Sequence, residues 1–199
     1  MKIDTILFET SSQSISQCPE PNKPEFAFIG RSNVGKSSLI NMLANKKGLA
    51  KVSSVPGKTQ LINHFIVNKS WYLVDLPGYG WARVSVKIKL KWEKDINNYL
   101  IHRENLHCVF ILVDSRHEPQ TNDLEFMKWL ASNDIPFVVV FTKADKLSYN
   151  QLLSSLASYR KVMKRIWEVL PRFICTSSDT GMGKEDIFDC IEGILQDAK

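Results

Sequence analysis

The sequence contains no apolar run of the about 18 to 20 residues that a transmembrane helix requires. Its start, MKIDTILFETSSQ, lacks the basic segment and the long apolar segment of a signal peptide. The four cysteines lie far apart and form neither a CxxC pair nor a Cys/His cluster with metal-ligand spacing. These absences exclude a membrane span, a disulfide-bonded secreted domain and a zinc motif. They predict a cytoplasmic protein with reduced thiols and no membrane partner.

Length and charge restrict the function only loosely. A chain of 199 residues fits one domain with a large core, and 44% hydrophobic with 24% charged residues is usual for a globular protein. Basic residues exceed acidic ones by 26 to 21, which gives a net charge of +5. This excess permits binding to a polyanion such as RNA but does not require it, because charge matters only where it is clustered.

Two regions differ in composition. Residues 1–24 are polar and interrupted by prolines, which predicts a surface arm with an edge strand around Ile3–Phe8. Residues 25–199 form the main domain, in which short apolar runs alternate with amphipathic stretches of helix length. This alternation predicts an α/β fold with a mostly parallel sheet and helices on both faces.

The apolar runs also indicate where the strands lie in the sheet. Val109–Val113 and Phe137–Phe141 are continuously apolar, as strands buried on both faces are. The run LINHFIV at 61–67 alternates instead, which predicts one antiparallel edge strand.

A phosphate-binding motif, G-x-x-x-x-G-K-S, spans Gly30–Ser37 between the strand EFAFIG and the helix KSSLINMLAN. Its glycines allow backbone N–H groups to turn inward around phosphates, next to a helix N-terminus that favours anions. In this motif Lys36 contacts the β and γ phosphates and Ser37 binds Mg2+. The phosphate-binding residues are therefore predicted to be Gly30, Arg31, Ser32, Asn33, Val34, Gly35, Lys36, Ser37 and Ser38.

A second part of the site is predicted where the strand at 71–74 ends in Asp75-Leu-Pro-Gly78. Asp75 at the carboxyl end of a parallel strand reaches Mg2+ through water, and the amide of Gly78 is free to approach a γ phosphate. Between the two motifs lies GLAKVSSVPGKTQ, a loop without apolar periodicity that is typical of a mobile switch. In this loop Gly57 is predicted to contact the nucleotide and Thr59 to bind Mg2+, which gives three metal ligands: Ser37, Thr59 and Asp75.

The base is predicted from Thr142-Lys143-Ala144-Asp145, which closes an apolar strand. The carboxylate of Asp145 can accept the N1–H and N2–H protons of guanine while the stem of Lys143 packs on the ring. Adenine has the opposite donor and acceptor pattern, so the motif predicts GTP. The segment Thr176-Ser177-Ser178 follows another strand and is placed to present backbone N–H groups to the guanine O6.

The sequence resembles the translation-factor class of GTPases and, within it, the EngB (YihA/YsxC) family of bacterial ribosome-assembly GTPases. The resemblance rests on GRSNVGKSSLIN, PGKTQLINHF, VDLPGYGWA, VDSRHEP, FTKADKL and TSSDTGMG, and it covers nearly the whole chain from about residue 5. It implies a Ras-like fold, GTP and Mg2+ as ligands, and a role in maturing the large ribosomal subunit. The sequence departs from the common GTPase pattern at Thr142, where asparagine is usual.

The catalytic residues are predicted to be Lys36, Asn33, Thr59 and Gly78. Tyr79 stands where Ras-like enzymes carry the glutamine that orients the attacking water, so unassisted hydrolysis is expected to be slow. Either this tyrosine turns away, or backbone and Mg2+ position the water. Asn33 resembles the asparagine that binds K+ in related GTPases, although asparagine also suits a tight loop. The sequence leaves open whether K+ or an arginine in cis (Arg31, Arg83 or Arg116) completes the site.

Lysines and arginines cluster at three places that are candidates for an RNA-facing surface. They are Lys87, Lys89, Lys91 and Lys94, then Arg160, Lys161, Lys164 and Arg165, and finally Lys46, Lys47 and Lys51. With the resemblance, they favour ribosomal RNA and proteins as the partner of a monomer. The alternatives are a small-molecule kinase, which would not need T-K-A-D, and a membrane-recruited GTPase, for which the C-terminus ILQDAK offers no prenylation motif.

Overall fold

The computed structural model describes residues 1–50, 61–79 and 86–198, with the backbone alone for 86–93. Predictions for Gly57, Thr59, Lys51 and Arg83, and for the side chains of the first three lysines of the cluster at 87–94, lie outside these residues. The strands are β1 (Ile6–Ser12), β2 (Glu25–Gly30), β3 (Ile62–Val67), β4 (Trp71–Asp75), β5 (Leu106–Asp114), β6 (Phe137–Thr142) and β7 (Phe173–Cys175). The helices are α1 (Lys36–Leu43), α2 (Val86–His102), α3 (Thr121–Ser132), α4 (Tyr149–Met163) and α5 (Lys184–Asp197).

The seven strands form one mixed sheet in the order β1-β3-β4-β2-β5-β6-β7. The pairs from β4 to β7 are all parallel, whereas β3 is antiparallel to both of its neighbours. The mostly parallel fold with one antiparallel strand is therefore confirmed. The antiparallel strand is not at the edge, however, because β1 from the N-terminal segment pairs with it and takes the edge position.

The central strands are buried on both faces, as their continuous apolar runs predicted. In β2, Phe26 and Phe28 face one core cluster, while Ala27 and Ile29 face the other. All four side chains have no exposed surface. Two layers of helices are needed to cover such a strand.

The helices supply these two layers. Side chains of α1 and α5 belong to the first core cluster, and side chains of α2, α3 and α4 belong to the second. The helix α4 begins with a capping box between Ser148 and Gln151 and ends at Met163. The amphipathic stretch at 149–170 continues past this end, but the chain turns beyond Met163 so that Trp167 packs edge-on against Phe137. Within the described residues, none of the helices combines the length and hydrophobicity that crossing a bilayer needs.

A buried ionic network joins the end of α2 to the start of β2. Arg103 donates to Glu25 through Nε (3.0 Å) and Nη2 (2.6 Å), and the Tyr99 hydroxyl donates to the same carboxylate. His64 Nε2 lies 3.2 Å from Glu25 Oε1 without the alignment of a hydrogen bond. Burial alone would raise the pKa of Glu25, but its contacts with these three residues lower the pKa to about 2. Arg103 also donates to the carbonyl of Pro19, so the network holds the N-terminal segment as well.

Candidate nucleotide-binding site

The predicted site residues lie at the carboxyl ends of neighbouring parallel strands. In the sheet Phe28 is paired with Asp75, and Asp114 is paired with Thr142. The loops that follow β2, β4, β5 and β6 therefore meet at one edge of the sheet, which is where ligands bind in open parallel sheets. The structure thus brings together three motifs: the phosphate-binding motif (Gly30–Ser37), the D-x-x-G motif (Asp75–Gly78) and the T-K-A-D motif (Thr142–Asp145).

The phosphate loop needs glycine at two positions for different reasons. A Cβ at Gly30 would lie 2.7 Å from the carbonyl oxygen of Leu112 in β5, so there is no room for a side chain. Gly35 has a φ of 105° and immediately precedes α1, in a conformation that favours glycine. Asn33, at a φ of 62°, is also left-handed. Two left-handed residues, Asn33 and Gly35, thus stand just before α1, and a helix N-terminus favours an anion.

Lys36 and Asp75 form a direct ion pair between the first residue of α1 and the last residue of β4. Both side chains are largely buried, with 10% and 4% of their surface exposed. Ser37 lies in the same first turn of α1, so a hydroxyl and a carboxylate oxygen are available beside the lysine. These are the hard oxygen donors that Mg2+ prefers.

The described residues hold no group of three or more His, Cys, Asp or Glu side chains that would form a metal cage. Mg2+ in nucleotide sites takes most of its ligands from phosphate oxygens and water, so one hydroxyl and one carboxylate fit such a site. The predicted third ligand, Thr59, lies outside the described residues.

The segment after Asp75 runs alongside the phosphate loop. The N–H of Leu76 donates to Phe28 O (3.0 Å), and the N–H of Tyr79 donates to Gly30 O (3.3 Å). Gly78 is therefore held next to the loop. The side chain of Tyr79 points to α3, where its hydroxyl donates to Asp123 at 3.0 Å. Of the two alternatives for this tyrosine, the structure shows the one in which it turns away to another partner.

Thr142 joins the base loop to the phosphate loop. Its hydroxyl lies 2.6 Å from the carbonyl oxygen of Val34 and 3.1 Å from that of Val113. The side chain of Thr142 is buried, and so are Val34 and Val113. A threonine at this position therefore ties three segments together with a single hydroxyl.

Lys143 makes a second connection between the same loops. Its ammonium group donates to Asn33 O at 2.7 Å and to Asp114 Oδ2 at 2.8 Å, and its stem passes beside Gly35. Burial alone would raise the pKa of Asp114, but hydrogen bonds from Arg116 and Lys143 outweigh it and hold the pKa well below the ordinary range. Asp114 is thus ionised and fixes the lysine across the phosphate loop.

The carboxylate of Asp145 lies in the turn after β6, 2.9 Å from the ammonium group of Lys146. A hydrogen bond from the side chain of Ser177, followed by one from Lys146, lowers its pKa. The N–H of Ala144 donates to Thr176 O at 3.0 Å, which joins the two loops that were predicted to surround the base. The ionised form is the one that accepts two protons from guanine.

The segment at 176–178 presents fewer free amides than the sequence suggested. The N–H of Thr176 donates to Phe141 O (2.7 Å), and the N–H of Ser177 donates to Met182 O (3.1 Å). Among hydrogen bonds between described residues, none is donated by the N–H of Ser178. Of the N–H groups predicted to face the guanine O6, that of Ser178 is therefore the remaining candidate.

Both described arginines that were candidates for the catalytic charge have protein partners. Arg31 donates to the side chain of Gln120 at 3.3 Å, and Arg116 forms a two-point contact with Asp114 at 2.9 and 2.7 Å. Both line a cleft of about 240 Å³ beside the phosphate loop. Other residues at this cleft are Ser32, Asn33, Val34, His117, Asp123, Lys143 and Tyr159.

Sequence reasoning missed two acidic residues of this site. Asp114 follows a buried apolar strand just as Asp75 does, so its position at a strand end was a usable signal. Asp123 carried no signal, because an acid in the first turn of a helix usually interacts only with the helix dipole.

Comparisons with known proteins agree with this geometry. Residues 25–143 match the model of the family described as 50S ribosome-binding GTPase. The chain is 52% identical over 194 residues to a probable GTP-binding protein EngB of Christiangramia forsetii, covering 98% of each chain. It is also 52% identical over 197 residues to the EngB protein of Porphyromonas gingivalis, covering 99% of this chain and 98% of that protein.

Solved structures share the fold. A crystal structure of a probable GTP-binding protein EngB superimposes with a TM-score of 0.65 at 25% identity, covering 87% of this chain and 99% of that one. The protein Era, in a complex with MgGDPNP and a segment of 16S ribosomal RNA, superimposes with a TM-score of 0.67 at 20% identity, covering 84% of this chain and 55% of that one. The chain therefore belongs to the EngB family of GTP-binding proteins and is a GTPase.

Proposed function

We propose that this GTPase is a nucleotide-controlled assembly factor for the large ribosomal subunit. The observation that carries the proposal is the position of Gly78, held beside the phosphate loop by the hydrogen bond from Tyr79 to Gly30. A γ phosphate in that loop meets Gly78 directly, so the surface around it differs between the GTP and GDP forms. The family model, described as ribosome-binding, supports a large-subunit partner.

The nucleotide is proposed to bind along the sheet edge described above. The loop from Gly30 to Ser38 holds the phosphates, and Asp145, Lys143 and Ser178 hold the base. Thr142 and Thr176 are proposed to support the site without contacting the nucleotide through their hydroxyls, because both hydroxyls donate to backbone carbonyls. For Gly57 and Thr59, which lie outside the described residues, we propose the contacts that the sequence predicts: Gly57 with the nucleotide and Thr59 with Mg2+.

Mg2+ is proposed to bind through Ser37, Asp75 and Thr59. The ion would neutralise phosphate charge during transfer to water. Lys36 then leaves its ion pair with Asp75 to contact the phosphates, which frees the carboxylate for the metal site. This exchange uses one buried lysine and one buried carboxylate, and neither is left without a partner.

Hydrolysis is proposed to be slow without a partner, because Tyr79 is bound to α3 and supplies no glutamine-like group. K+ at Asn33 is the proposed source of additional positive charge. The backbone oxygen of Asn33 is taken by Lys143, while no hydrogen bond between described residues engages its side-chain amide. That amide oxygen is therefore available to a cation.

The proposed RNA contact lies on the exposed surface of α4 and the turn after it. Arg160, Lys161, Lys164 and Arg165 are exposed there, and none forms an ion pair with an acidic group of the described residues. Neutralisation of RNA phosphates supplies most of the non-specific affinity for such a surface. Lys46 does not share this role, because it donates to Ile6 O on the other side of the sheet. We propose that the protein acts as a cytoplasmic monomer.

Co-sedimentation with purified large subunits or their precursors tests the proposal. We expect clear pelleting with a non-hydrolysable GTP analogue and weaker pelleting with GDP, since a ligand shifts a partner only through a difference in affinity between two states. Thr59→Ala should abolish the difference, whereas Thr121→Ala, an exposed threonine at the start of α3, should leave it intact. Equal pelleting in both nucleotides would contradict the proposal.

A further inference from the structure

Tyr79 contacts the rest of the protein at three points: its N–H, its ring and its hydroxyl. Its N–H donates to Gly30 O in the phosphate loop at 3.3 Å. Its ring packs against Phe126 of α3, with the ring centroids 4.7 Å apart. Its hydroxyl donates to Asp123 Oδ1 of α3 at 3.0 Å. The residue next to Gly78 is therefore fixed between the phosphate loop and α3.

Asp123 is an unusual partner because it is buried. Only 3% of its surface is exposed, although it lies in the first turn of α3, where acids usually face solvent. Burial raises the pKa of Asp123, and the hydrogen bond from Tyr79 and the charge of Arg31 oppose that rise. Burial, followed by the charge of Asp123, holds the pKa of Tyr79 well above its ordinary value, so the phenol stays protonated and is the donor.

A helix N-terminus stabilises an acid whether that acid is buried or exposed. The helix dipole therefore does not account for burying this carboxylate, since burial without a donor would cost free energy. The Tyr79 hydroxyl is the donor that makes burial acceptable.

We propose that Asp123 is a positioning residue for GTP hydrolysis: by binding the Tyr79 hydroxyl, it fixes the Gly78–Tyr79 peptide beside the phosphate loop. The inference rests on the proposed contact of Gly78 with the γ phosphate. In an enzyme without the usual glutamine, backbone donors must be in place before the reaction, because a preorganised donor loses no free energy to rearrangement in the transition state. A freed tyrosine would let this peptide move away from the loop.

Loss of the hydrogen bond between Tyr79 and Asp123 should lower the rate of hydrolysis and leave GTP binding unchanged. Neither Asp123 nor the Tyr79 hydroxyl contacts Lys36 or Asp145, which carry the proposed phosphate and base contacts. Loss of one charge-assisted hydrogen bond should lower kcat by about tenfold and leave KM for GTP within about twofold.

Single-turnover and steady-state hydrolysis by the full chain with Mg2+ tests the inference. We expect Tyr79→Phe and Asp123→Ala to lower kcat to the same extent, and the double variant to be no slower than either single one. Asp123→Asn should keep kcat near the wild-type value, because its amide oxygen still accepts the hydrogen bond. The matched control is Glu125→Ala, an exposed acid on the same helix, which should not change the rate.

Three outcomes would overturn the inference: a melting temperature that falls while kcat is unchanged, effects of the two single variants that add, or a faster rate in Tyr79→Phe. If Asp123→Ala does not fold, Tyr79→Phe and Asp123→Asn still decide the question.

Gly78→Ala tests separately whether Gly78 contacts the γ phosphate. Normal hydrolysis by that variant would overturn the proposed role of Gly78, whereas additive effects at residues 79 and 123 would overturn only the role of Asp123.

Discussion

Replacing Glu25 with glutamine should destabilise the protein in a way that depends on pH. The carboxylate is fully buried and has a folded-state pKa of about 2, against an ordinary value of 4.5. A difference of that size corresponds to about 3 kcal/mol of stability in favour of the ionised form. Glutamine would also leave Arg103 buried without a counter-charge, which is costly in its own right.

The sign of the pH dependence follows from the lowered pKa. The stabilisation is fully present above about pH 4.5 and is lost as the pH falls towards 2. We therefore expect Glu25→Gln to lower the free energy of unfolding by about 3 kcal/mol at pH 7 and by about 2 kcal/mol at pH 3.5. Urea denaturation followed by tryptophan fluorescence measures both values, and Trp71 is a buried reporter in the same sheet.

The matched control for this experiment is Glu104→Gln. Glu104 is exposed and adjoins Arg103 in sequence, so its replacement should change stability by less than about 0.5 kcal/mol. A loss below about 1 kcal/mol at pH 7 for Glu25→Gln, or a loss that grows as the pH falls, would refute the assignment of the network as a stabilising ion pair.

Three further predictions concern the nucleotide site. Asp145→Asn should weaken GTP binding by about 2–3 kcal/mol and favour xanthine nucleotides, because an amide NH2 donor replaces one carboxylate oxygen acceptor. If titrations show that the variant binds GTP with unchanged affinity and does not bind XTP, the contact with guanine is excluded. Thr142→Val should weaken GDP binding by about tenfold, whereas Thr142→Ser, which keeps the hydroxyl, should bind like the wild type; equal affinities of the two variants in fluorescence titrations would show that the hydroxyl is dispensable. Hydrolysis should be faster in KCl than in NaCl at equal ionic strength, and Asn33→Ala should remove that difference; identical rates in the two salts would eliminate the K+ proposal.

The parts of the fold that the sequence predicted are those set by local patterns. Uninterrupted apolar runs indicated the buried strands, and the motif between EFAFIG and KSSLIN indicated the start of α1 at Lys36. The end of α4 is not set by a local pattern: the amphipathic stretch continues to residue 170, whereas the helix ends at Met163, because the turn after it depends on packing of Trp167 against Phe137 in another strand. An edge strand was predicted in the N-terminal segment, around Ile3–Phe8, and β1 takes an edge position at Ile6–Ser12. Its pairing with β3, which moves β3 away from the edge, joins residues more than 50 positions apart, such as Phe8 and Phe65, and no local pattern indicates it.

The same distinction holds for the site. Each motif is contiguous, so the sequence could predict which backbone groups and carboxylates would face a nucleotide, and those contacts stay predictions. The structure places the described parts of the motifs at one edge of the sheet. The contacts that hold the motifs in place are not contiguous: Thr142 and Val34 are 108 residues apart, and Tyr79 and Asp123 are 44 residues apart. No periodicity relates such pairs, so the threonine at 142 appeared only as a departure from the usual asparagine.

Three contacts between distant segments end on carbonyl oxygens of the phosphate loop. Gly30 O accepts from the N–H of Tyr79, Asn33 O from Lys143, and Val34 O from Thr142. A peptide whose carbonyl oxygen is bonded to the protein body is held in one orientation. The N–H of Val34 is used within the loop, where it donates to Arg31 O at 3.2 Å. The segment Asp75–Gly78 with Tyr79 and the loop Thr142–Asp145 thus fix three carbonyls of the loop that is proposed to bind phosphate, and a preorganised site loses less free energy on binding. Substitutions at Thr142 or Lys143 should therefore weaken phosphate binding as well as base binding, although neither side chain of the pair needs to touch a phosphate.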